Sequence, residues 1–140
     1  MSEVRRITPI IFVDTIEPYV PFWTEVLGFE IGDSVPGGDG LVFVILKRDG
    51  TELMYQTIAG LQEDLPSLVP DVANQTYTLF IEVTGLDEII GRLDTAGTEV
   101  VAPRRNTFYG SDEIFVRAPC GTIVGLAEFA ATGENTEGQA

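Results

Sequence analysis

Two glutamates, Glu52 and Glu82, stand in strand-like runs among apolar neighbours, and none of the 140 residues is a histidine that could work with them. Strand alternation puts Glu52 on the face of Met54 and Gln56, and Glu82 on the face of Thr78 and Phe80. A carboxylate so placed suits two tasks. With a tuned pKa it takes a proton from a substrate as general base; left ionised, it pairs with a cationic ligand. Each also has a plainer reading: Glu82 at a strand end and Glu52 beside a turn can face solvent. Trp23 is open to two readings, core packing or a stacking platform. Tyr109 belongs to a loop that either covers a cavity or lies on the surface. Arg117 shares a strand parity with Glu113, which makes them an expected pair without a ligand role. Cys120 is the single cysteine and falls in an expected turn, with no histidine to lower its pKa, so it reads as an unreactive thiol.

The elements that must hold these residues come in two copies. Phe12-Val13-Asp14-Thr15-Ile16-Glu17, closing at Leu27-Gly28, is echoed about 70 positions later by Glu82-Val83-Thr84-Gly85-Leu86-Asp87, closing at Ala96-Gly97. Arg48-Asp49-Gly50-Thr51 is echoed by Ala118-Pro119-Cys120-Gly121-Thr122 at nearly the same offset. A repeat of this period predicts two copies of one supersecondary unit.

Residues 1–56 form the first copy. A strand over Ile7–Val13 leads to a helix in which Tyr19, Phe22, Trp23 and Val26 recur at helical spacing, with a first turn distorted by Pro21 and a stop at Gly28. Strands follow from Phe29, over Leu41–Leu46 and over Glu52–Gln56, with an Asp-Gly hairpin turn before the last. Residues 57–75 connect the copies, with a short helix near Leu61–Asp64. Residues 76–130 repeat the order, with strands over Tyr77–Val83, Glu99–Val101, Glu113–Arg117 and Ile123–Phe129 and a helix over Leu86–Ala96. Residues 131–140 are small and polar and read as a disordered tail. The fold class expected is α+β: two tandem βαβββ modules in one structural domain, forming a curved mixed sheet around a cavity.

Composition narrows the partners. A net charge of −14 argues against nucleic acid, whose phosphates need a basic surface, and against an anionic membrane. It steers cations inward or simply solubilises the surface. No apolar run reaches the ~20 residues of a membrane span, and no secretory leader is visible at the start. With a single cysteine, these features point to the cytoplasm.

The sequence resembles the vicinal oxygen chelate superfamily of glyoxalases, ring-cleaving dioxygenases, fosfomycin-resistance enzymes and bleomycin-resistance proteins. Phe22-Trp23-Thr24-Glu25-Val26-Leu27-Gly28-Phe29, Tyr109-Gly110 and Arg117-Ala118-Pro119-Cys120-Gly121-Thr122 carry the likeness, although Ala118 and Thr122 depart from the commonest residues of that turn. The resemblance implies a homodimer. It also implies that metal ligands, where relatives have them, would fall at Thr8, Met54, Thr78 and Gly125. These residues make a poor donor set, since threonine binds divalent ions weakly, thioether sulfur is soft and glycine offers nothing. The expectation is therefore no metal and no cofactor. Gly125 should leave space in the cavity, whose lining is expected from Phe12, Trp23, Met54, Phe80, Glu82, Tyr109 and Gly125. Such a lining suits a small aromatic or amphipathic cation, held as the bleomycin-resistance branch holds its ligand. The competing expectation is a lyase, isomerase or dioxygenase with a displaced metal site, or with Glu82 or Glu52 as general base.

Overall fold

Buried and open residues alternate along short β-branched runs, and the result is two four-stranded mixed sheets. The computed structural model describes residues 1–130; the tail expected at 131–140 lies outside them. The chain divides into two compact units, one ending at Gln75 and the next beginning at Thr76.

In the first unit, β1 (Ile10–Val13), β2 (Glu30–Pro36), β3 (Leu41–Arg48) and β4 (Thr51–Thr57) lie in the order β1-β4-β3-β2. β1 runs parallel to β4, and the other neighbours are antiparallel. In the second unit, β5 (Thr78–Glu82), β6 (Glu99–Asn106), β7 (Ser111–Arg117) and β8 (Ile123–Phe129) lie in the order β5-β8-β7-β6, again with one parallel pair, β5 with β8. The repeated words of the sequence are thus a repeated topology, and the class is α+β as expected.

One face of each sheet is buried. In the first unit Ile11, Val13, Val44, Leu46, Leu53 and Tyr55 form a core with Ile16, Phe22, Trp23, Val26, Leu27 and Leu61. In the second, Ile114, Val116, Val124 and Leu126 form one with Leu86, Ile89 and Leu93. Each such side chain contributes about 1.5–3 kcal/mol by leaving water. The two cores differ in kind. The first is rich in aromatic rings, with Trp23 edge-on to both Phe22 and Phe29 at 5.3 Å. The second is aliphatic.

The helices differ as well. The expected helix of the first copy is two short pieces: a tight turn over Glu17–Tyr19 and one wide π-type turn over Phe22–Val26. Pro18 fits a first turn, but Pro21 lacks the N–H that a regular helix would use there. Gly28 then leaves the segment at φ 74°, a conformation that costs glycine little. Residues 57–75 hold more order than a connection requires, with α1 (Ile58–Asp64) and α2 (Val69–Val72). Thr57 caps α1 by accepting from the Gly60 N–H at 3.0 Å. The second copy carries a regular helix, α3 (Leu86–Thr95). Its N-terminus is capped from β8, where the Glu128 carboxylate accepts from the N–H groups of Gly85 and Leu86 at 3.2 and 3.0 Å.

β1 begins three residues later than expected, because Pro9 has no N–H for the ladder and Ile7 is exposed. The Asp-Gly turn between β3 and β4 has positive φ at both Asp49 and Gly50, the type I′ geometry that suits a two-residue hairpin.

Candidate functional site

The open face of the second sheet is organised in rows across the strands. One row runs Phe80 (β5), Gly125 (β8), Phe115 (β7) and Ala102 (β6). The next runs Glu82, Ala127, Glu113 and Arg105 over the same strands. An aromatic row therefore lies beside a charged one. The Phe80 and Phe115 rings are 6.4 Å apart, and Phe80 stays 53% exposed. Glu82 is exposed, and its side chain has no hydrogen bond or ion pair among the described residues.

Glu113 behaves differently: it is fully buried. A carboxylate out of water needs donors, and it has three. Oε1 accepts from the Tyr109 hydroxyl at 2.8 Å and the Ser111 hydroxyl at 2.9 Å, while Oε2 accepts from Nη2 of Arg105 at 2.9 Å. Burial pushes its pKa up, but the hydrogen bonds from Tyr109, Arg105 and Ser111 outweigh that and hold the carboxyl below the ordinary glutamate range. Reciprocally, the hydrogen bond to Glu113 raises the already high pKa of Arg105. Tyr109 reaches this cluster from the β6–β7 turn, where Thr107 N–H donates to the Ser111 carbonyl and the Thr107 and Ser111 hydroxyls meet at 2.8 Å. Tyr109 remains 45% exposed, with its ring 6.3 Å from that of Phe129.

The open face of the first sheet has a row Ile10, Met54 and Ile45, flanked by Phe12, Gln56 and Phe43. Phe12 and Met54 are thus neighbours on one half-covered face. Glu52 lies at the end of this face, opposite Lys47, and borders a cleft of about 510 Å³ that Arg6, Lys47, Arg48, Glu30 and Asp49 also line. It accepts from the Thr8 hydroxyl at 3.1 Å and from Arg6 at 3.4 Å. Glu52 is therefore occupied by its own chain in a polar cleft, and its role as a general base is not favoured.

Three expectations need correction. Trp23 is fully buried and donates its indole N–H to the Tyr55 hydroxyl at 2.9 Å; it packs the first core and offers no stacking face. Gly125 leaves no gap, because the Phe115 ring lies over it. Arg117 pairs with Glu99 at 3.2 Å and leaves Glu113 to Arg105. Phe80, Glu82 and Tyr109 do share one sheet face. The pair Glu113–Arg105 was missed as part of it. The available signal was a glutamate in an apolar strand at the parity of Phe115, with an unassigned arginine one strand earlier.

Nor do the four positions named for a metal make a site for a divalent ion. The Thr8 hydroxyl is given to Glu52, Met54 offers a thioether in an apolar row, and Gly125 lies beneath a ring, which leaves the Thr78 hydroxyl. Among the described residues no three histidine, cysteine, aspartate or glutamate side chains converge as metal ligands. No helix among them is long and apolar enough to cross a membrane.

A family model for the glyoxalase/bleomycin resistance protein/dioxygenase superfamily matches residues 5–126. No curated protein matches the sequence significantly. Similar solved structures include a glyoxalase/bleomycin resistance protein/dioxygenase from Nocardioides, 20% identical over 98% of this chain and 91% of that one, with a TM-score of 0.70. TioX from Micromonospora sp. ML1 is 14% identical over 89% of this chain and 100% of its own, with a TM-score of 0.67. A lactoylglutathione lyase from Agrobacterium tumefaciens is 18% identical over 91% and 95%, with a TM-score of 0.66. At these identities the likenesses carry the fold alone.

Proposed function

Because the chain belongs to the glyoxalase/bleomycin resistance protein/dioxygenase superfamily, a fold that hosts several chemistries, we propose that it binds a small aromatic cation on the open face of its second sheet, without a metal ion. The observation that carries this reading is the exposed carboxylate of Glu82, which has no partner among the described residues, beside the exposed ring of Phe80, in a chain of net charge −14. Glu82 supplies the counter-charge. The Phe80 and Phe115 rings supply an apolar floor on which a flat ligand stacks and a cation meets π-electron density, worth about 0.5–2 kcal/mol per contact. The donor set at Thr8, Met54, Thr78 and Gly125 supports the metal-free part. A homodimer in the cytoplasm belongs to the same proposal, and light scattering on the purified protein tests the oligomer.

Calorimetric titration with phenethylammonium, its neutral alcohol and phenylpropionate tests the reading. The ammonium ligand should bind with a Kd below about 1 mM and ahead of the other two. Glu82→Gln should weaken it about 5–10-fold. Binding no better than millimolar, equal binding of the carboxylate, or affinity that depends on an added divalent ion would overturn it.

A further inference from the structure

Glu82 is only one end of its row. Three strands away, Arg105 gives a single Nη2 hydrogen bond to Glu113 and its side chain remains 58% exposed. A guanidinium has five N–H donors in a planar fork. The buried Glu113, itself held by Tyr109 and Ser111, fixes one end of that fork; Tyr109 lies against Arg105 as well, and the side chain is exposed enough to leave further donors to solvent. Because the Arg105 head sits at Glu113, above β7, its separation from Glu82 on β5 is about two strand spacings, on the order of 10 Å.

We infer that the ligand of this face carries two charged ends: an ammonium taken by Glu82 and a carboxylate taken by Arg105, about 10 Å apart, with an aromatic body on Phe80 and Phe115. This inference rests on the cation-binding reading above and adds the second end. Charge complementarity favours a zwitterion over a simple cation. Once Glu113 is satisfied by its three donors, the exposed Arg105 edge is a donor surface with no carboxylate partner but Glu113 among the described residues. Tyr109 frames the same end, its hydroxyl committed to Glu113 and its ring half-exposed.

Glycyl-phenylalanyl-glycine is a suitable probe, since three extended residues span about 10 Å between terminal charges. It is titrated beside its N-acetyl form, its C-terminal amide and phenethylammonium. The free peptide should bind about 10-fold more tightly than either blocked form. Glu82→Gln should abolish the preference over the acetylated peptide alone. Arg105→Lys, which keeps a charge opposite Glu113 but loses the fork, should abolish the preference over the amide alone. An unchanged circular dichroism spectrum certifies both variants as folded.

If the amide binds as well as the free peptide, or both preferences persist in the variants, the two-ended ligand is wrong. Phenethylammonium binding then shows whether the cation reading stands without it. If neither the peptide nor phenethylammonium binds, both are overturned.

Discussion

Gly125→Ala adds a methyl group where the Phe115 ring already lies. A Cβ built at position 125 falls 2.5 Å from Cε2, 2.8 Å from Cζ and 3.0 Å from Cδ2 of Phe115. Relieving such an overlap by moving a packed ring costs about 1–3 kcal/mol. Alanine is better than glycine inside a strand by about 0.5–1 kcal/mol, because it has less backbone freedom to lose. The first effect wins, so the substitution should destabilise the protein by about 1–2 kcal/mol. In a Phe115→Ala background the ring is gone and only the backbone term remains, so the same change should stabilise by about 0.5–1 kcal/mol. Urea unfolding of the four proteins, followed by far-ultraviolet circular dichroism, gives the cycle; amide exchange along β8 locates it in the second unit. The coupling should exceed about 1 kcal/mol. An effect of the same sign in both backgrounds would refute the account of Gly125 as the seat of a ring.

Tyr55→Phe leaves the buried Trp23 indole N–H without its acceptor. It should cost about 1–3 kcal/mol in urea unfolding; a loss under about 0.5 kcal/mol would show that another group takes the proton. Glu128→Ala uncaps α3 and should cost about 0.5–2 kcal/mol, with faster exchange of the Gly85 and Leu86 amides. Unchanged exchange there would remove the cap. Glu113, whose folded pKa is depressed, contributes stability that is fully present above the unfolded value of about 4.3 and is lost as pH falls through the folded one. Glu113→Gln should therefore be less stable than the parent at pH 7, with the gap closing below about pH 4; a gap constant from pH 7 to pH 3 contradicts the assignment.

The repeat was legible because topology and turn chemistry recur together: the same strand–helix junction and the same glycine turn return at one offset, and apolar alternation marks which strand faces are buried. The wide turn at Phe22–Val26 was partly legible through Pro21, although a proline states what cannot form and not what replaces it. The site was harder. Arg105 faces Glu113 only after two register shifts between β6 and β7, so a regular register counted from the Glu99–Arg117 pair sets Pro103, not Arg105, opposite Glu113. Gly125 shows a missing side chain in the sequence, but the ring that fills the space comes from the neighbouring strand. Trp23 and Tyr55 are a donor and acceptor 32 positions apart, and no local pattern pairs them.

The aromatic core of the first unit has a practical consequence. Trp23 is the chain's single tryptophan, and it lies in a water-free site of the unit that ends at Gln75. Its emission is a built-in optical reporter for that half, while the second half contributes none. The far-ultraviolet signal comes from both sheets. A denaturation curve recorded by the two probes therefore separates the halves without any label: coincident curves mean that the halves melt as one cooperative body, and displaced curves measure how independently each copy of the repeat stands.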